Sequence, residues 1–489
     1  MQQPSPHTLD PSDWDELRAQ GHRMLDDIFD YMQQFRERPV WQAAPAEVRD
    51  RFKEGLPYAP SSLDTVHQGF LQDVLPYAIG NAHPGFMGWV QGGGTPVGML
   101  AEMLAAGINA NVGGREQIPV EVERQILRWV RELFSFPETA SGIFVTGTSM
   151  ANLIGVLVAR TAALGTGVRK SGLAASGTRL VAYASKAAHG CVAQAMDLSG
   201  LGLDALRPIP FDRRGEMDLT ALQHAIDEDR RKGFTPFLIV GTAGAVDTGA
   251  VDDLSSIADI AEREKLWFHV DGAYGALAIM APDIAPRLDG IERADSIAFD
   301  FHKWAQVQYD AGFILVRDGA MHYDTFASPA AYLQRETRGM AANSPWPCDF
   351  GPDLSRGFRA LKTWFAIKTY GIDRLGQVIS GTCALAKYLG QRIASEPELE
   401  LLAPVSLSIV CFRYRCDSTD DADRINNDIV IALQESGIAA PSTTIIDGKL
   451  AIRVALFNHR TNVGDVDALL KATLQFGRME TVRTESAAL

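Results

Sequence analysis

The sequence predicts an α/β fold: a large domain with a mostly parallel central sheet, a small C-terminal α+β domain and an N-terminal helical segment. Three observations predict it. From about residue 141, apolar runs without alternating polarity are separated by helical segments, which is typical of a sheet covered on both faces. Beyond Pro352 this pattern changes. A predicted helix with charged flanks lies near the N-terminus, before the alternating region. Because 489 residues exceed one typical core, we divide the chain into 1–80, 81–352 and 353–489.

Composition restricts the classes of function. The net charge is −14, with 46% hydrophobic and 22% charged residues, which disfavours nucleic acid or an anionic membrane as partner because phosphates would be repelled. Five dispersed cysteines without a CxxC pair indicate reduced thiols, not a zinc site or a disulfide framework. Neither a signal peptide nor an apolar run of roughly 20 residues is visible. We expect a cytoplasmic protein that binds a small molecule and no metal.

The N-terminal third has two features. Apolar residues near helical spacing predict a helix from Trp14 to Arg38, which packs either on its own domain or, as an arm, on a second subunit. Residues 79–118 are rich in glycine but include Phe86, Trp89 and Met99. Glycines in apolar company let a backbone come close to another group, although a low-complexity linker is the alternative.

The remaining elements follow in order. The predicted strands of the large domain are IFVTG, RLVAYAS, FLIVGTAG, KLWFHVDGAYG, SIAFDFHKW and AGFILVRD, with helices between the first four. The small domain begins with a helix in SRGFRALKTWFAIKTYG and continues with strands in SLSIVCFRYR and IIDGKLAIRVALF. Asp447-Gly448 predicts the turn of a hairpin within the second of these.

Three strand ends carry residues suited to one ligand, and ligands bind at the carboxyl ends of parallel strands. In VTGTSMAN a helix begins at Thr148 or Ser149, where free N–H groups and the helix dipole favour phosphate. The bland alternative is a plain helix cap. No turn carries the GxGxxG of nicotinamide enzymes.

The second and third ends carry a carboxylate and an amine. Asp271 follows the apolar strand in HVDGAYG, so its buried charge needs a cationic partner, unless it caps its own turn. Lys303 in FDFHKW follows another; burial would make it a free amine able to condense with an aldehyde, unless it reaches the surface. His189 could cover one face of a flat ring, or be an ordinary half-buried histidine. Together these groups match the needs of pyridoxal phosphate.

The sequence resembles the group II pyridoxal-phosphate decarboxylases, which include aromatic-L-amino-acid decarboxylase and glutamate decarboxylase. The likeness runs from about Pro84 to Asp465, on AYASKAAH, WFHVDGAYG, ADSIAFDFHKW, AAYL and LSRGFRALKTWF. It implies a type I (aspartate aminotransferase-like) fold and a homodimer with active sites at the subunit interface. The residues it implies are Lys303 as the Schiff-base lysine, Asp271 under the ring nitrogen, His189 and Ala273 on the two ring faces, Thr148, Ser149 and His302 near the phosphate, and Trp89, Arg356 and Arg453 near the substrate.

The resemblance also implies a reaction. Tyr332, in SPAAYLQRETRGMAANSPW, matches the tyrosine of a mobile loop that gives Cα a proton, or orients the donor, after carbon dioxide leaves. The alternative is an ordinary surface tyrosine. Members with phenylalanine there make aldehydes with oxygen. We therefore expect decarboxylation of an L-amino acid, an aromatic one favoured. The alternatives are an aldehyde synthase, a decarboxylase of non-aromatic amino acids, a nicotinamide-dependent oxidoreductase, and a degenerate member that has lost catalysis; the last is disfavoured because Lys303 and Asp271 are both present.

The sequence departs from the family pattern at three places. Asp300 stands where other members often have asparagine, and Ala245 where many have threonine. The segment that is rich in aromatic residues in the animal enzyme is WVQGGGTP. Losing rings removes stacking surface worth ~0.5–1.5 kcal/mol per aromatic pair, so the identity of the substrate stays open.

Overall fold

The computed structural model describes residues 8–328, 335–416 and 419–487. The helices are α1 Trp14–Gln33, α2 Ala46–Arg51, α3 Leu63–Gly69, α4 Pro96–Ile108, α5 Ile118–Leu133, α6 Thr148–Leu164, α7 Val168–Ser171, α8 Gly190–Leu198, α9 Leu219–Arg231, α10 Leu254–Glu264, α11 Gly319–Phe326, α12 Ala360–Ala394, α13 Thr419–Glu435 and α14 Val463–Ala487. The strands are β1 Phe86–Met87, β2 Ser141–Val145, β3 Leu180–Ser185, β4 Leu206–Ile209, β5 Thr235–Thr242, β6 Trp267–Asp271, β7 Ser296–Asp300, β8 Gly312–Val316, β9 Leu399–Leu401, β10 Ile409–Tyr414, β11 Ala440–Ile446 and β12 Lys449–Ala455.

A seven-stranded sheet forms the centre of the large domain, in the order β2-β8-β7-β6-β5-β3-β4. Its strands are parallel except for β8, which is antiparallel to both neighbours. Successive residues of one strand enter different cores: Ile297 and Phe299 pack in the cluster that includes α5, α9 and α10, and Ala298 in the cluster that includes α6. Both faces are therefore covered, and the predicted α/β fold with a mostly parallel sheet is confirmed.

Four strand ends meet at one edge of this sheet. Because β8 is antiparallel to both β2 and β7, those two strands run the same way. The carboxyl ends of β2, β3, β6 and β7, at Val145, Ser185, Asp271 and Asp300, therefore lie along the same edge. This geometry follows from parallel pairing alone, and it brings distant motifs together.

The second sheet has the order β1-β11-β12-β10-β9. Its hairpin turns at Asp447 and Gly448, both with positive φ (49° and 76°), as predicted from the Asp-Gly pair. The sequence missed the three-residue strand β9 and the two-residue strand β1. Phe86–Met87 pairs with Ala440 and Pro441 of β11, so a segment that we assigned by sequence to residues 81–352 joins a sheet whose other strands lie in residues 353–489.

Helices α1 and α12 differ from their predicted bounds. Helix α1 ends at Gln33 rather than near Arg38, and it buries only Gln20. Helix α12 begins five residues later than predicted and runs on to Ala394, because the chain passes Gly371 (φ 73°) with a bend and resumes as helix. Among the described residues, no helix combines the length and the apolar character needed to cross a membrane.

Candidate active site

A cavity of about 390 Å³ opens at the edge where the four strand ends meet. It is lined by most of the residues singled out from the sequence: Trp89, Thr148, Ser149, His189, Asp271, Ala273, His302 and Lys303. These residues come from segments up to 214 positions apart, between 89 and 303. The structure therefore brings the predicted lysine, aspartate and helix start to one place.

Lys303 lies in the turn after β7 and forms an ion pair there. Its Nζ is 2.9 Å from Asp300 Oδ2, and the two side chains are 19% and 3% exposed. The other carboxylate oxygen, Asp300 Oδ1, accepts a hydrogen bond of 2.8 Å from the Thr148 N–H. Asp300 thus gives the buried lysine the partner that its charge requires, and it links the lysine to the start of α6.

The start of α6 is suited to an anion. The Thr148 side chain is buried, and its Oγ1 has no hydrogen-bond partner within the described parts of the chain. Ser149 is exposed to the cavity. A helix N-terminus attracts negative charge, but here the first N–H group is already held by Asp300. A phosphate bound here would meet two hydroxyls, the later N–H groups and a neighbouring carboxylate.

His302 is held by its backbone neighbours as a neutral ring. The ring is buried, and its Nδ1 accepts a hydrogen bond of 3.0 Å from the Ala311 N–H. Burial lowers the pKa of His302, with Asp300 acting in the opposite direction. The ring packs on Tyr309 with centroids 4.2 Å apart. A neutral ring that accepts at Nδ1 carries its proton on Nε2, 3.5 Å from Asp300 Oδ2.

Asp271 ends β6 in a buried position. Burial raises the pKa of its carboxyl, whereas Lys303 lowers the pKa through its positive charge. Oδ1 accepts a hydrogen bond of 3.2 Å from the Ala273 N–H, and the Cys191 thiol lies 3.9 Å from Oδ2. The carboxylate is therefore fixed from both sides and lies within the electrostatic reach of the lysine.

His189 is the N-cap residue of α8. Its Nδ1 accepts a hydrogen bond of 3.1 Å from the Cys191 N–H. The cap fixes the ring at the strand end after β3, and the side chain stays exposed to the cavity. A ring in this position is free to contact a flat ligand.

The structure does not bring Arg356 into the cavity. Its side chain is 2% exposed and forms an ion pair with Glu123 at 2.6 Å; it also donates to the carbonyls of Val112 and Phe144. With these acceptors around it, the guanidinium is occupied inside the large domain. The expectation that Arg356 contacts substrate therefore has no support in this geometry.

Arg453 also lies behind the cavity wall. Its Nε donates to the Val246 carbonyl at 2.9 Å, and Nη1 donates to the Gly88 carbonyl at 2.5 Å. Burial lowers the pKa of Arg453. Val246 and Trp89, the residue after Gly88, both line the cavity. In this geometry Arg453 stabilises two segments of the cavity wall and does not contact the substrate directly.

Sequence reasoning missed three residues of the wall. Thr242, at the end of β5, is buried with no hydrogen-bond partner for Oγ1 among the residues described. It ends a fifth strand at the same edge of the sheet, so the same rule could have found it. Cys191 and Tyr309 also line the cavity, and no sequence signal marks either of them.

Two further expectations concern Tyr332 and metal binding. Tyr332 lies outside the described residues. For metals, the described ranges contain no group of three or more His, Cys, Asp or Glu side chains that could hold an ion.

Comparisons with known proteins show the family to which the chain is similar. The family model described as "Pyridoxal-dependent decarboxylase conserved domain" matches residues 45–415. Aromatic-L-amino-acid decarboxylase of Bacillus atrophaeus is 32% identical over 462 residues, covering 92% of this chain and 93% of that protein. Phenylacetaldehyde synthase of Arabidopsis thaliana is 28% identical, covering 93% and 94%.

A solved structure has the same fold. The crystal structure of Oryza sativa TDC with PLP and tryptamine superimposes with a TM-score of 0.88 at 25% sequence identity, covering 97% of this chain and all of that one.

Proposed function

This chain belongs to the pyridoxal-dependent decarboxylase family, and we propose that it converts an aromatic L-amino acid into the corresponding amine and carbon dioxide. The fold is that of the type I pyridoxal-phosphate enzymes, and the protein is a pyridoxal-phosphate-dependent carboxy-lyase. The observation that carries the proposal is the cavity in which Lys303, Asp271 and the start of α6 meet.

The residues of the cavity fit pyridoxal phosphate. The partnerless Oγ1 of Thr148 and the exposed Ser149, at a helix N-terminus, suit the phosphate. The neutral His302 ring offers its Nε2 proton on the same side. When bound, the cofactor supplies an electron sink for the electron pair left on Cα. We assign the nitrogen that holds its aldehyde to Lys303.

Three residues hold the cofactor ring in our proposal. Asp271 lies under the ring nitrogen, where an ionised carboxylate favours a protonated ring. His189 covers one face and Ala273 the other. Together these contacts orient the substrate so that its Cα–carboxylate bond is the one that breaks, since geometry selects among the bonds at Cα. We assign delivery of the proton to Cα to Tyr332, which is not among the described residues.

The aromatic substrate is supported by apolar side chains that line the cavity. Trp89 is 50% exposed and lines the cavity together with Val90, Val246 and Tyr274. Apolar and aromatic lining of this kind suits a substrate side chain that is flat and hydrophobic. The match to an aromatic-L-amino-acid decarboxylase points the same way. Trp89 is accordingly the residue we assign to the substrate side chain.

An aldehyde synthase is the second candidate, because the chain is also similar to a phenylacetaldehyde synthase. That reaction consumes oxygen and releases ammonia and peroxide along with the aldehyde. The tyrosine at position 332 disfavours it, because the resemblance associates phenylalanine there with aldehyde formation. Oxygen uptake separates the two reactions.

A homodimer with active sites at the interface completes the proposal. Helix α4 exposes Met103, Leu104 and Ile108, and α1 also leaves apolar residues exposed. Clustered apolar exposure of this kind marks an interaction surface. We further propose a cytoplasmic location, which is supported by the thiols of Cys191, Cys348, Cys383 and Cys411 not being joined in disulfides.

The test is a panel of L-amino acids supplied with pyridoxal phosphate. Carbon dioxide and the organic product are measured for tryptophan, tyrosine, phenylalanine and glutamate. We expect amine and carbon dioxide in equal amounts from an aromatic substrate. Lys303→Ala should form none in the steady state, whereas Lys170→Ala, at an exposed position, should behave as wild type. Steady amine production by Lys303→Ala contradicts the proposal.

A further inference from the structure

A buried row of polar side chains runs from the interior of the large domain to Asp271. We call it the Asp271 network; its members are Trp267, Ser296, His269, Asn152 and Cys191. Asn152, His269 and Ser296 are at most 1% exposed, and Cys191 is 6% exposed. Buried polar groups are costly unless they are hydrogen-bonded, so a row of this length needs a reason.

The distances are those of a continuous network. The Trp267 indole N–H donates to Ser296 Oγ at 2.8 Å, and Ser296 Oγ is 2.7 Å from His269 Nδ1. His269 Nε2 is 2.7 Å from Asn152 Oδ1.

The last two contacts reach the carboxylate. Asn152 Nδ2 donates to Cys191 Sγ at 3.1 Å, and the thiol reaches Asp271 Oδ2 at 3.9 Å.

The two ends give the network one direction. The Trp267 indole can only donate, and an ionised Asp271 can only accept. Between them, the Asn152 carbonyl needs a proton on His269 Nε2, which leaves Nδ1 to accept from the Ser296 hydroxyl. Every donor therefore points toward Asp271.

The protonation states agree with this direction. Burial lowers the pKa of His269 to about 3, so the ring is neutral. Burial, with Asp271 adding to it, raises the pKa of the Cys191 thiol to about 12, so the sulfur keeps its proton. Because the members of the network are neutral, its single charge lies at the end of the row, on Asp271.

The packing around His269 holds this row in place. A Cβ added at Gly155 of α6 would lie 2.8 Å from His269 Cε1. Helix α6 therefore approaches β6 closely enough that only a glycine fits opposite the ring. The same helix supplies Asn152 one turn earlier and Thr148 at the cavity. One rigid helix thus ties the network to the phosphate end of the site.

We propose that the Asp271 network is a positioning device that keeps the Asp271 carboxylate ionised and aimed at the ring nitrogen of pyridoxal phosphate. Its residues touch neither the reacting atoms nor the substrate, except that Cys191 also lines the cavity. The inference rests on the cofactor assigned to this family. A directed row of donors stabilises the charge at its accepting end more than an isolated contact does, and it opposes the burial that would otherwise protonate the carboxyl.

The test compares two breaks with a repair and a control. Ser296→Ala interrupts the row far from the cofactor, and Cys191→Ala removes the donor next to Asp271. Cys191→Ser restores a donor at the same position. Thr161→Val is the control for loss of packing. It removes a buried hydroxyl on α6, the helix that carries Asn152, and this hydroxyl bonds only to the Leu157 carbonyl.

Two readouts are independent of turnover. The dissociation constant of pyridoxal phosphate is measured on the apoprotein, and the pH dependence of the visible absorption is measured on the loaded protein without substrate. Because the net contribution of a single hydrogen bond between neutral groups is modest and each variant acts on the cofactor through Asp271, we expect the dissociation constant to rise roughly three- to tenfold in both alanine variants. The pH at the midpoint of the absorption change should shift in the same direction in both alanine variants. Cys191→Ser and Thr161→Val should match wild type in both measurements.

The charged groups that also face Asp271 are Lys303 and His189, and neither is changed in any variant. If Cys191→Ala and Cys191→Ser behave alike, or if Thr161→Val moves the midpoint as far as Ser296→Ala, the network is a packing feature and the proposal fails. If Ser296→Ala does not fold, the comparison of Cys191→Ala with Cys191→Ser still tests the proposal. Wild-type apoprotein that takes up no pyridoxal phosphate would overturn the assigned cofactor instead, which is a separate outcome.

Discussion

Asp300, which is buried, and Lys303, which is 19% exposed, form an ion pair with Nζ and Oδ2 2.9 Å apart, and the same carboxylate accepts from the Thr148 N–H at 2.8 Å. One acidic side chain therefore contacts both the lysine assigned to the cofactor aldehyde and the helix start assigned to its phosphate. A carboxylate beside a phosphate is repulsive. Asp300 thus stabilises the lysine at the expense of anion binding.

We predict that Asp300→Asn binds pyridoxal phosphate more tightly, roughly fivefold, because the amide keeps an acceptor for Thr148 and removes the negative charge. The dissociation constant is measured by fluorescence on the apoprotein, together with that of inorganic phosphate. Asp310→Asn is the matched control, since Asp310 is paired with Arg359 and is 37% exposed. Weaker binding of both ligands by Asp300→Asn would show that the carboxylate supports the cofactor.

We predict that Tyr332→Phe shifts the products from amine toward aldehyde, because the proton donor assigned to Cα is lost and oxygen competes for the electron-rich carbon. Oxygen uptake, ammonia and peroxide are measured beside the amine. Tyr323→Phe, at a position that is 40% exposed on α11, is the control. An unchanged ratio of amine to aldehyde would remove Tyr332 from the mechanism.

We predict that Arg356→Leu destabilises the fold by about 3–5 kcal/mol, because Glu123 would be left as a buried charge without its partner. Urea unfolding of the apoprotein measures the change. The double variant Glu123→Gln with Arg356→Met should lose much less, since neither charge remains. If Arg356→Leu instead leaves stability unchanged and raises only the KM for the amino acid, the residue binds substrate after all.

We predict that buried His322 makes the fold less stable in acid. Burial lowers its pKa to about 3, below the unfolded value of about 6.5. A group with a depressed folded pKa contributes stability that is fully present above the unfolded pKa and is lost as the pH falls toward the folded one. Between those values the loss is about 1.4 kcal/mol for each pH unit.

Urea unfolding at several pH values from about 4.5 to 7 checks this expectation. His322→Asn should lower the stability overall, because the ring fills a buried site and contacts Ser141 Oγ at 2.7 Å. Its slope of stability against pH should be shallower than that of wild type. His224→Asn, at an exposed position on α9, should keep the wild-type slope. Equal slopes in all three proteins would contradict the assignment.

The sequence by itself determined the class of fold and most of the cavity. Apolar runs without alternation require a sheet buried on both faces, and parallel strands place their carboxyl ends on one edge. Those two rules were enough to bring Thr148, His189, Asp271 and Lys303 together before any coordinates. The Asp447-Gly448 hairpin was likewise local, since its two positive φ angles are set by the residues of the turn.

Only the tertiary structure decided which side chains are partners. Arg356 pairs with Glu123 across 233 positions, and Phe86 pairs with Ala440 across 354 positions. Asp300 takes the first N–H of a helix 152 positions earlier. Sequence periodicity specifies the buried face of an element, but it carries no information about which other element supplies the facing atoms. Those partners depend on strand order and helix placement, which form only when the whole chain packs.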